Sequence, residues 1–181
     1  MSVRHALISC AALLLGWSSP GAARAASAAP AETAPAPDFY TAADFQRVDK
    51  IDAHVHLHGR ADRFMAQAIA DRFRVLTINV EYPDFPLIAE QQREAVSLRE
   101  RYPGWVAFAA TFSTEGFQTP GWSESAVRHI DAARAQGAVG VKMWKNIGMV
   151  LRNPDGSYVM PDDPRLEPLI AHLERESIVL L

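Results

Sequence analysis

Cysteine is almost absent from this chain of 181 residues: the single one, Cys10, lies in the first apolar stretch. If that stretch is removed on export, the remainder can form no disulfide even in an oxidising compartment. An excess of positive charge is missing too. The 18 Lys and Arg residues face 21 Asp and Glu, a net charge of −3. That balance excludes the basic footprint of a nucleic-acid partner or an anionic membrane surface. No apolar run is long enough for a permanent bilayer-spanning helix. There is no internal repeat and no low-complexity core. What remains is ordinary globular composition, 49% hydrophobic and 22% charged.

The first 25 residues read as a secretory signal, which implies a secreted or periplasmic protein. Arg4 and His5 make a short polar start. An apolar run from Ala6 to Trp17 follows, and Ala23-Arg24-Ala25 supplies a small-x-small cleavage pattern. Leu7-Ile8-Ser9-Cys10 mimics a lipoprotein box but precedes the apolar run instead of following it. Taking Arg4 and Arg24 from the 18 basic residues leaves 16 against 21 acidic ones, a net charge of −5. Residues 26–41 are rich in Ala and Pro and lack periodicity. Too little apolar surface is available there to offset ordering entropy, so the segment reads as a linker.

From residue 42 to 181 the pattern alternates between strand and helix. Lys50-Ile51-Asp52-Ala53-His54-Val55-His56-Leu57-His58 has the period of two expected of a strand. Residues 61–73 carry a helical stripe of Phe64, Met65, Ala68 and Ile69. Strands are expected over 74–80, 105–112, 138–144 and 177–181, with helices over 86–102 and 123–136. Ser123 stands where a helix can be capped and Gly137 where one ends. Asp163-Pro164 is a helix start, followed by Leu166, Leu169, Ile170 and Leu173 on one face. Such alternation argues for an α/β fold with a parallel sheet and crossover helices. About four and a half units are present where a closed (β/α)8 barrel needs eight. The expectation is therefore the N-terminal half of a barrel, with a smaller complete α/β domain as the alternative. Open sheet edges would then invite self-association.

The Lys50–His58 stretch also carries the chemistry. Alternation puts Asp52, His54, His56 and His58 on one face, and two imidazoles at that pitch can reach one divalent ion. The other reading is a half-buried strand with polar groups facing water. Asp52-Ala53-His54-Val55-His56 resembles the first-strand signature of the amidohydrolase superfamily. TatD-type nucleases and PHP-domain phosphoesterases open in a similar way. The later segment from Gly137 to Met149 looks like the fourth-strand region of the amidohydrolase-2, or amidohydrolase-related, branch. The resemblance runs from about Val48 to the C-terminus.

That resemblance implies a metal-dependent hydrolase, with His54 and His56 as metal ligands and Asp52 orienting a histidine from behind. It implies Lys142 at the position that is carbamylated and bridges two metals in dinuclear members. As an ammonium, Lys142 would instead bind a substrate carboxylate or pair with an acid. With no cysteine left, ligands must be nitrogen and oxygen. Zinc is the default, and manganese or iron is possible where carboxylates join. The substrate would be a small molecule with an amide, ester or lactone carbon. His58, Trp144, Lys145 and Asn146 are candidate substrate contacts, and Asn79 and Thr111 are weaker ones. A metal-dependent decarboxylase of the same branch and a non-catalytic metal-binding fragment are the alternatives. Asn153-Pro154-Asp155-Gly156 reads as the turn of a hairpin over the site. His129 and His172 read as surface or helix-packing histidines.

Overall fold

The computed structural model describes residues 39–59 and 61–181. The expected signal and the expected linker up to residue 38 lie outside the described residues. The fold belongs to the unit Tyr40–Leu181.

Five strands form one wholly parallel, curled half-barrel sheet in the order of the chain. They are β1 Lys50–Val55, β2 Phe73–Ile78, β3 Val106–Ala110, β4 Gly140–Val141 and β5 Val179–Leu180. The intervening helices are α1 Asp62–Ala70, α2 Ile88–Arg101, α3 Trp122–Ala135, a short turn α4 Asn146–Met149, and α5 Glu167–Arg175. The strand and helix alternation thus agrees with the periodicity, and α4 is an addition to it. Among the described residues no helix is long and apolar enough to cross a membrane.

Each helix forms because its apolar residues recur on one face and that face is buried. Met65 and Ala68 of α1 and Leu98 of α2 pack on Val75 and Val106 of the sheet. Ile130 of α3 joins Leu166, Leu169 and Leu173, around α5, over Val141. Burying one such leucine contributes about 1.5–3 kcal/mol. Asp163 opens the last helical segment as expected: its side chain accepts from the backbone N–H of Arg165 at 2.9 Å, and Pro164 takes the first position of a 3-10 turn that leads into α5. Gly137 ends α3 at φ +99°, where a Cβ would also lie 2.6 Å from the Arg99 side chain. The expected cap at Ser123 is not used. Gly121, at φ +85°, precedes the first helical residue Trp122, and the Ser123 hydroxyl donates to Glu124 instead.

The sheet has two faces with different neighbours. Val75, Thr77, Val106, Phe108 and Val141 share the helix-covered side through the register Val75↔Val106, Thr77↔Phe108 and Ala110↔Val141. The opposite face carries a separate apolar cluster of Ile78, Val80 and Ala109, flanked by Leu76, Phe85 and Trp144. Gly140 belongs to this second face, as the partner of Ala109. A Cβ on Gly140 would come within 3.0 Å of the Val179 carbonyl, so glycine permits β5 to lie close there. That second face, at the C-terminal ends of the strands, is where the candidate residues gather.

Candidate functional site

β1 brings the histidines together, but not by simple alternation. Asp52 pairs with Val75 and Val55 with Thr77, so three steps of β1 face two of β2. Such a bulge inserts one residue and reverses the facing of everything after it. Asp52 therefore falls on the α1 side, lining a small cavity with Phe64, Gln67, Ala68 and Asp71. Its carboxylate accepts from the backbone N–H of His54 at 3.1 Å. The expectation that Asp52 shares a face with the histidines is corrected by this slip in register. Asp52 braces the bulge through the backbone.

His54 and His56 lie on the second face with ring centroids 5.3 Å apart, edge to face. The His56 Nδ1 sits 2.8 Å from the carbonyl oxygen of Ile78. A carbonyl can only accept, so Nδ1 carries the proton and, in the neutral ring, Nε2 keeps a free lone pair. This is the arrangement by which proteins fix the tautomer and orientation of a metal-ligating histidine. The pair thus fits a divalent ion as two nitrogen donors. Among the described residues no three His, Cys, Asp or Glu side chains gather as a metal-holding group.

Aromatic rings flank His56, while His54 is exposed. His56 meets Phe85 at 5.1 Å and Trp144 at 6.0 Å, and Tyr82 meets both Phe85 and Trp144. His58 stacks 6.5 Å from His56 and lies 5.0 Å from Phe85. Burial and the neighbouring His56 both push the His58 imidazolium towards deprotonation, lowering its pKa.

A cavity of about 590 Å³ opens beside His54, bordered by Lys142, Trp144 and Lys145 together with Met143, Ile147 and Pro161. Lys142 is placed there by β4, since it follows Gly140 by two residues on the same face. Its backbone N–H donates to Ala110 at 2.7 Å, and its carbonyl accepts from the Thr111 hydroxyl at 2.8 Å. Thr111 thus acts on the site by holding the Lys142 backbone. Lys145 is exposed, with its ammonium 5.2 Å from the Trp144 ring centre. The indole N–H of Trp144 is buried and has no acceptor. The hairpin over 149–160 forms as expected around Asn153 and Gly156, with Arg152 and Tyr158 bridged, and leads into Pro161 at the cavity edge.

Two expected contacts are committed elsewhere. The Asn146 amide donates to Glu81 at 2.8 Å and to the Thr114 hydroxyl at 3.2 Å, and its oxygen accepts from the Ile147 N–H at 3.0 Å. Its side chain is a brace between loops. Asn79 points to α2, where its amide donates to Gln92 at 3.1 Å, and Gln92 donates in turn to Gln136. Both residues sit at strand ends by sequence, but facing and partner decide their use.

Sequence reasoning passed over Glu81, which lies three residues beyond β2. Its carboxylate accepts from the Ser113 hydroxyl at 2.5 Å, the Thr114 hydroxyl at 2.5 Å, the Thr114 N–H at 2.8 Å and the Asn146 amide at 2.8 Å. One charge ties the loops after β2, β3 and β4. The Ser113-Thr114 pair following a strand was the available signal. Away from the rim, His172 is held between Asp131 and Arg175, both at 2.8 Å. His129 has a buried, unpartnered Nε2, and burial lowers its pKa. Both helix histidines pack as expected, outside the site.

Comparison of the chain with protein-family models, with curated proteins and with solved structures finds no match in any of the three.

Proposed function

We propose that this chain carries the metal-binding strand and part of the substrate face of a metal-dependent hydrolase related to the amidohydrolases. The observation that carries the reading is the His54–His56 pair with the His56 Nδ1 proton committed to the Ile78 carbonyl. That bond leaves Nε2 as a donor whose direction the β1–β2 pairing sets. His54 supplies the second nitrogen from the cavity wall. A bound zinc, or manganese or iron, supplies Lewis acidity and an activated water for attack on an amide, ester or lactone carbon. The rings of Phe85 and Trp144, backed by Tyr82, cover part of the His56 ring and strengthen electrostatics there. Lys142 holds positive charge in the cavity where a small-molecule substrate would lie. With residues 1–25 acting as an export signal, the reaction takes place in the periplasm or outside the cell.

The test is calorimetric titration of the purified chain with zinc, alongside the double variant His54→Ala/His56→Ala. The native chain is expected to bind one equivalent, more weakly as pH falls and protons compete for the imidazoles. The double variant should lose at least about tenfold in affinity, roughly 1.4 kcal/mol. Equal binding by the two proteins would remove the assignment.

A further inference from the structure

The cavity beside His54 has an unbalanced charge inventory. Lys142 and Lys145 both border it, and no Asp or Glu does. Among the described residues neither lysine forms an ion pair with a carboxylate. At the same rim, Glu81 has both carboxylate oxygens engaged by Ser113, Thr114 and Asn146. A half-buried ammonium without a counter-charge is unfavourable, and a bound anion would offset that cost.

We propose that Lys142 and Lys145 form a carboxylate-binding subsite for an organic acid, Lys142 acting as an ammonium. The apolar lining argues for a carboxylate on a hydrocarbon body over a free phosphate. Met143, Ile147 and Pro161 give the rest of the cavity an apolar lining. That lining suits the hydrocarbon body of an acid, which inorganic phosphate lacks. Identifying this ligand as the substrate rests on the hydrolase reading, but the binding itself needs no metal.

The experiment uses the full chain, stripped of metal by chelation and kept in carbon-dioxide-free buffer. Hexanoate, its neutral isostere hexanamide and inorganic phosphate are titrated by NMR shift changes. Hexanoate is expected to bind, to weaken with added salt, and to exceed both hexanamide and phosphate by at least about tenfold. Lys142→Met and the exposed charge reversal Lys145→Glu should each reduce hexanoate affinity by about tenfold or more, with circular dichroism confirming the fold. Because the chain is metal-free throughout, hexanoate binding is expected whether or not zinc binds in the separate titration, so that failure of the metal reading and failure of this one are separable. Hexanamide or phosphate binding as well as hexanoate, no hexanoate binding at all, or unchanged affinity in folded Lys142→Met and Lys145→Glu would overturn the proposal. A carbamate carbon signal from labelled bicarbonate, lost in Lys142→Met, would also overturn the ammonium role.

Discussion

Glu81 and Lys142 are both charged side chains at the C-terminal rim of the same sheet, and they are used in opposite ways. Glu81 accepts from two hydroxyls, a backbone N–H and an amide drawn from the two later loops. Lys142 faces a cavity beside His54 that no Asp or Glu among the described residues borders. Around Glu81 the donors and acceptors are matched, so the cluster can only hold loops in place. Around Lys142 the cations of Lys142 and Lys145 are left over, and the Nε2 lone pair of His56 is open on the same sheet face. A rim built this way separates the groups that fix geometry from the groups left free for a ligand.

The contrast breaks most readily through stability. Glu81→Ala removes an ionised acceptor from four donors in partly buried loops, and should cost about 2–3 kcal/mol in urea unfolding. Lys142→Met removes a charge that no carboxylate among the described residues pairs with, and should change stability by about 0.5 kcal/mol or less. If Lys142→Met were as damaging as Glu81→Ala, the lysine would be a structural partner and the division would fail.

A smaller effect is expected at Asp163, a matched carboxylate that does not line the cavity. Hydrogen bonds from Arg165 hold its pKa below the ordinary 3.8. A carboxyl depressed on folding contributes stability that is present above its unfolded value and lost as pH falls through the folded one. Asp163→Ala should therefore cost about 1 kcal/mol at neutral pH, with the gap to the native chain closing below pH 3.8. A gap that stayed constant down to that acid range would mean the carboxylate's charge is not what matters.

Much of the fold could be read from the chain because each element repeats a signal several times. The α1 stripe, the leucines around α5, Gly137 and the Asp163-Pro164 start all act within a few residues of where they stand. The site was legible where it too is local, in the His54 and His56 spacing and the parity of Lys142. It was not legible where the outcome depends on a distant partner. The alternation from Lys50 to His58 has no visible break, yet pairing with β2 inserts a residue and sends Asp52 to the α1 side. Asn146 looks free in its own segment but is claimed by Glu81, 65 positions earlier. Asn79 ends a strand as a site residue would, and faces α2 because its register puts it with Thr77 and not with Ile78.

Ring-nitrogen NMR of the histidines tests whether the His54–His56 pair, proposed as the metal-binding site, is oriented for a metal. Spectra correlating ring protons with Nδ1 and Nε2, assigned through single His→Gln variants, are recorded before and after zinc addition. His56 is expected as the Nδ1-protonated tautomer in the metal-free chain. On zinc addition the His56 Nε2 and a His54 ring nitrogen should shift together, while His129 and His172 stay still. A His56 protonated on Nε2, or a zinc response confined to histidines other than His54 and His56, would contradict it.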